Sequence, residues 1–314
     1  MDRALASPFK SLFRFSRYMV FIIVCLVLLT LFLQSIVAKR DDMGEMRSDI
    51  ALLEAAAALG KLLHHIQAER SFTFGFAMAD PVSNEQRLKA LRSATDDEVV
   101  AASEQFARTT EGENVDFRRM VASVHENLEL LADWRRIADT RAQGAVQLFE
   151  RYTSVNLNLL DSIRQQIFFI QTPALRQNMT AYQYLLWHKE LLAQERAILS
   201  EVFATGRFGP QLHRKFLEIG VDAEKSISMF RSLASPAIAA LADRTVAASA
   251  ERSNALRQIA AERALRRDSG ETPGEWWQAR TAYVDAWYQD ELQIMASLRQ
   301  ESGDNKANLR VQLA

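Results

Sequence analysis

Apolar and polar positions divide the chain into one uncharged run followed by a long series of helical-period segments. Residues 18–38, YMVFIIVCLVLLTLFLQSIVA, carry no charge over 21 positions, close to the roughly 20 that cross a bilayer as a helix. A cleaved signal peptide has an apolar core of roughly 7–15 residues ending at a small-x-small site. This run is longer, and Ile36-Val37-Ala38 is a poor cleavage site. It reads as an uncleaved signal anchor. No later apolar run has spanning length; Ile167-Phe168-Phe169-Ile170 is far too short.

Beyond residue 40 the punctuation is that of a helical domain. Asp80-Pro81 ends a first long helix, and Ser83-Asn84-Glu85-Gln86 forms a capping box that starts a second. Gly112 falls in a polar break. Thr172-Pro173, Gly209-Pro210, Ser235-Pro236 and Thr272-Pro273 each set a proline where a first helical residue belongs. Thr272 with Glu275 makes a second capping box. The pattern predicts helices over 42–78, 84–110, 115–140, 143–170, 175–205, 210–233, 237–267 and 274–301. The expected fold class is all-α: a transmembrane helix followed by eight helices arranged as two four-helix bundles.

Composition agrees with the pattern. The chain has 314 residues, with only 11 glycines and 6 prolines, and strong helix formers dominate. The 38 basic residues balance the 39 acidic ones, so charge gives no sign of a nucleic-acid partner. Cys25 is the only cysteine, which rules out an intrachain disulfide and a cysteine zinc site. Arg3, Lys10, Arg14 and Arg17 precede the apolar run against Asp2 alone, whereas Asp41 and Asp42 follow Lys39 and Arg40. That bias places the N-terminus inside a bacterial inner membrane and the main domain in the periplasm. The expected layout is a basic tail at 1–17, an anchor at 18–38, a helical sensory domain at 39–302 and a polar tail at 303–314.

The chemical signal lies on helical faces. Steps of three and four along the first helix give Ala56, Leu59, Leu63, Ile66, Arg70 and Phe74, beside a run holding Phe72, Phe74 and Phe76. In the fifth helix they give Leu192, Arg196, Leu199 and Phe203. Arg70 and Arg196 thus both fall on apolar stripes. A guanidinium keeps its charge in a protein interior and needs an anion there, from the protein or from a ligand. Its planar fork suits carboxylate, nitrate or nitrite. The two arginines follow similar sequences, ending Ala68-Glu69-Arg70 and Gln194-Glu195-Arg196, which suggests one Glu-Arg element in each half. Set against this, Glu-Arg pairs are frequent in helices, and Glu262-Arg263 repeats the pair.

At these residues the chain resembles the nitrate- and nitrite-sensing domain family. The resemblance runs over about residues 50–300. It rests on Ile66-Gln67-Ala68-Glu69-Arg70-Ser71-Phe72, on Lys189-Glu190 before Glu195-Arg196-Ala197, and on Phe203, Gly206 and Phe208. Trp276-Trp277 with Thr281, and Arg135 with Asp139, add to it. The resemblance implies an all-helical double bundle that binds nitrate or nitrite through Arg70 and Arg196. It also implies a basic residue on the seventh helix, where Arg257 is nearest in spacing and Arg252 and Arg263 are rivals. Ser71 stands where some members carry a second arginine.

The family usually couples this domain to an output module. None is visible here, so the expected routes for a signal are the anchor helix, a homodimer or a separate signalling protein. The expected role is signal transduction by a membrane receptor, without catalysis, cofactor or metal, with nitrate or nitrite as ligand and no nucleic acid among its partners. No HExxH, ExxH pair, GxSxG elbow or glycine-rich phosphate loop occurs. Two alternatives stand beside this reading. One is a sensor of another small anion. The other is a structural helical-bundle interaction protein, in which both arginines pair with internal carboxylates such as Glu69 or Glu190.

Overall fold

A computed structural model describes residues 7–74, 81–109, 115–140, 142, 144–263 and 273–311. Among them the regular elements are helices: α1 (Ser7–Phe72), α2 (Pro81–Thr109), α3 (Val115–Thr140), α4 (Ala145–Ile167), α5 (Pro173–Thr205), α6 (Pro210–Leu233), α7 (Pro236–Arg263) and α8 (Pro273–Val311). The fold class is all-α, as the periodicity predicts.

Five of these helices begin on a proline, which lacks the N–H that a first turn leaves unpaired anyway. α2 starts at Pro81, two residues ahead of the capping box expected at Ser83. The first α-helix stops at Phe72 and passes into a wider π turn at Thr73 and Phe74, a distortion that frequently accompanies functional sites. Phe76, Asp80, Gly112 and Thr272 lie outside the described residues. α5 ends where Gly206 turns left-handed (φ 64°, ψ 18°) and donates its N–H to the Val202 carbonyl, a conformation glycine adopts without a Cβ penalty.

The chain divides into two compact units, residues 1–47 with 303–314, and residues 48–302. In the first, α1 holds the apolar run. Among the described helices this is the one long and apolar enough to cross a membrane, with a mean hydropathy of 2.8 and none of that window buried. Large apolar side chains are exposed along it, including Phe21, Leu28 and Phe32.

In the second unit one apolar cluster draws on all eight helices, from Leu59 of α1 and Phe106 of α2 to Phe230 of α6 and Trp287 of α8. A neighbouring cluster gathers Phe149, Ile198, Phe216, Leu256 and Trp276. α6 is an ordinary amphipathic helix, burying Phe216, Ile219, Ala223, Ile227 and Phe230 on one stripe. α5 is different. From His188 to Ser200 every residue is buried, more than three turns with no face left to water. α1 is nearly as enclosed from Leu52 to Phe72. Charged residues on these two helices therefore have no solvent to turn to, whichever face they occupy.

Asp49 ties the start of this enclosed part of α1 to the α4–α5 connection. Its carboxylate accepts the backbone N–H groups of Gln171 and Thr172 at 2.7 and 2.9 Å, so the Thr172 side chain is not the cap.

Candidate anion-binding site

Four glutamates and four cations are buried in the layer that joins α1, α5 and α8. Three of the cations are closed by carboxylates. Arg70 grips Glu190 with both Nη atoms, the Nη2 to Oε2 bond measuring 3.2 Å. Glu190 also accepts from Gln67 (3.0 Å), Asn156 (3.0 Å) and Gln194 (2.8 Å). Lys189 pairs with Glu291, which also accepts from the Tyr182 hydroxyl at 3.0 Å. Arg280 pairs with Glu195 at 2.7 Å and donates to Ser253 at 3.0 Å. Glu69, the fourth carboxylate, takes Arg135 from α3 through two bonds of 2.9 Å and the Tyr152 hydroxyl at 2.8 Å.

Arg196 is the exception. It is 1% exposed. Its donors reach only neutral oxygens: Thr281 Oγ1 at 3.2 Å, the Gln67 carbonyl at 3.3 Å and Ser71 Oγ at 3.4 Å. Among the described residues no carboxylate lies within 4.0 Å of it. Its Nε is buried without a partner. The Trp277 ring lies against the guanidinium, 4.8 Å to the centroid, a favourable face for a cation but no counter-charge. Burial pushes its pKa down to about 10; Arg70 and Arg280 push the same way, and Asp285 and Glu190 oppose them. The group stays cationic at neutral pH. A buried, uncompensated cation costs several kcal/mol, by order of magnitude, so Arg196 carries a charge that the described residues leave unneutralised.

Each arginine stands behind the wall of a separate cleft. Phe149 and Thr153, which touch Arg70, line a cleft of about 400 Å³ between α4 and α6. Trp277 and Thr281, which touch Arg196, line one of about 630 Å³ with Phe72, Arg87 and Asp285.

Arg70 and Arg196 are thus inward-facing, as their stripes predict, and they share one layer: Arg196 bonds Gln67 and Ser71 on either side of Arg70. Their forks are in different states, because Glu190 already fills that of Arg70. Arg257 joins this layer only through Glu195, which it shares with Arg280, donating from Nε at 2.9 Å while lying 4.9 Å over the Phe216 ring. Its rival Arg252 is exposed, 3.8 Å from Glu275, and the Arg263 side chain lies outside the described residues. Asp139 takes Arg92 and not Arg135. Glu195 escapes a stripe reading because α5 has no polar face there, whereas Arg280 and Glu291 sit on the buried stripe of α8 with Trp276, Val284, Trp287 and Ile294, where the same stepping of three and four along that helix finds them.

Two buried histidines give the fold a pH limit. His188 contacts the Ala223 carbonyl through Nδ1, and its Nε2 is buried without a partner. Burial holds its pKa down to about 4, although the Ala223 bond pulls it up. His64, stacked on Tyr288 at 3.8 Å, is also held well below its ordinary value by burial, with Lys189 next in effect. Unfolded histidines titrate near 6.5, so below that pH the unfolded chain takes protons that the folded chain refuses. Stability is complete above about pH 6.5 and falls as pH drops, by about 2 kcal/mol at pH 5 for His188, with His64 acting in the same direction. Thermal melts from pH 7.5 to 5 are expected to show this, with a shallower slope for His188→Gln.

The sequence pattern of the family described as nitrate and nitrite sensing matches residues 61–299. A nitrate regulatory protein of Klebsiella oxytoca is 28% identical over 167 residues, 53% of this chain and 42% of that relative. The match thus spans less than half the relative's length. The structure of the NasR transcription antiterminator has the same fold, with a TM-score of 0.77 at 20% identity, covering 88% of this chain and 76% of that one. These likenesses correct one expectation. A protein with this fold acts in transcription, so the exclusion of nucleic acid from the partners is withdrawn. Balanced charge describes a sensory bundle and says nothing about what such a bundle is coupled to.

Proposed function

Because the chain belongs to the nitrate and nitrite sensing family, we propose that it is a membrane-anchored receptor binding nitrate or nitrite at Arg196, on the periplasmic side. The observation that carries this is the buried Arg196 guanidinium with no carboxylate partner. A small planar monoanion supplies the missing charge and accepts from Nε and the Nη atoms. The Thr281 hydroxyl stands within reach as a further donor, and the Trp277 ring closes one side. Arg70 contributes positive potential from the same layer while Glu190 holds its fork. The role is binding and not catalysis. The net positive flank before the apolar run supports the orientation.

The signal starts on α1, because Arg196 bonds directly to Gln67 and Ser71 of that helix and the apolar run belongs to the same helix. An anion that draws the Arg196 donors away from α1 shifts its population of positions. A homodimer or a separate signalling protein then reads it.

The test is a thermal-shift titration of the full chain in detergent micelles with sodium nitrate, nitrite, chloride and acetate. Nitrate or nitrite is expected to stabilise it, by about 2.7 kcal/mol at a hundredfold excess over Kd. A flat response to both overturns the proposal, and stabilisation by acetate alone assigns the site to a carboxylate.

A further inference from the structure

The cleft over Arg196 contains a carboxylate that its binding role does not use. Asp285 lies one turn beyond Thr281 on α8, hence on the same face, and both line the cleft with Trp277. Thr281 accepts from Arg196, so Asp285 stands next in line above the guanidinium. It stays beyond ion-pair distance of Arg196, and its side chain remains 52% exposed. Its nearest basic neighbour is His64, with Nε2 at 3.8 Å, and burial keeps that histidine neutral. Asp285 is nevertheless the carboxylate that most favours the charged form of Arg196, ahead of Glu190. Burial also holds the Asp285 carboxyl above the usual carboxylate range, against the pull of Arg196 and Lys189.

A negative charge placed there does two things. While the site is empty it offsets part of the Arg196 charge from a distance. When an anion arrives, it repels that anion at the mouth of the same cleft. We propose that Asp285 is a built-in competitor that sets the affinity of the Arg196 site, weakening it so that the receptor responds to a higher anion concentration. The proposal rests on the binding reading above and adds a residue that tunes it without touching the ligand.

The experiment compares the full chain with Asp285→Asn, Asp285→Ser and Asp285→Glu, using calorimetric titration with sodium nitrate and sodium nitrite. For like unit charges sharing a partly wet cleft, the repulsion corresponds to roughly a tenfold change in Kd. Both neutral variants are expected to bind roughly tenfold more tightly than the parent, by that same repulsion, and Asp285→Glu to bind like the parent. The charge-keeping variant separates electrostatic tuning from a packing role, since a packing defect moves all three. A parent that binds, together with neutral variants that bind equally or more weakly, overturns the competitor and leaves the site standing. A parent that binds neither anion overturns the binding reading itself, and this inference with it.

Discussion

Arg196→Met is expected to raise the melting temperature of the ligand-free chain and to abolish its response to nitrate and nitrite. Methionine matches much of the length of the arginine stem and packs flexibly into an apolar site. The substitution removes a buried cation held only by neutral oxygens at 3.2 to 3.4 Å. Replacing buried ion pairs by apolar side chains of similar volume often stabilises proteins by about 1–4 kcal/mol, and a cation without a partner has no pair attraction to lose. Little is lost in exchange, because Ser71 also donates to the Ala193 carbonyl at 3.2 Å. In a domain of this size a gain of 1 kcal/mol raises Tm by about 2–4 °C. Stability and binding thus move in opposite directions, the signature of a site maintained at a cost to the fold. Thermal melts with and without nitrate measure both. A variant that melts lower than the parent and still responds to nitrate removes Arg196 from the site.

Glu190→Ala is expected to do the reverse, destabilising the chain by about 3–5 kcal/mol, the range for breaking a buried pair by deleting one partner. Five donors from four side chains converge on this carboxylate. Its loss strands the Arg70 charge and leaves the amides of Gln67, Asn156 and Gln194 without their acceptor. Urea unfolding of the full chain provides the measurement. Arg70→Met with Glu190→Met should recover the part of the loss that comes from the stranded Arg70 charge, because the double change removes both charges and the coupling between them, while the three amides stay without their acceptor. A double variant as unstable as the sum of its parts shows that the two side chains act separately. The contrast between Arg70 and Arg196 also divides the competing readings. A purely structural bundle closes both arginines on internal carboxylates. Here one is closed and the other is not.

Much of this was legible along the chain. Prolines at positions 173, 210, 236 and 273 mark the first residues of four helices, because the absent N–H and restricted φ are local properties. The uncharged run at 18–38 reads as a span for the same kind of reason: its length and apolarity need no partner. The inward placement of Arg70 and Arg196 followed from spacing alone. What could not be read was their difference. Glu190 lies 120 residues from Arg70, and no periodicity announces a contact across that distance. Glu195 gave a signal that pointed the wrong way. Sitting next to Arg196, it invites a local pair, yet it is taken by Arg280 and Arg257.

The helices, their breaks, the apolar run at 18–38 and the two cations turned inward are legible along the chain, because each depends on chemistry within a few residues. The tertiary structure alone decided which cation is neutralised and which is left in need. Compensation of a buried charge depends on the atoms within about 4 Å of it, and here those atoms arrive from α1, α4, α5 and α8 together.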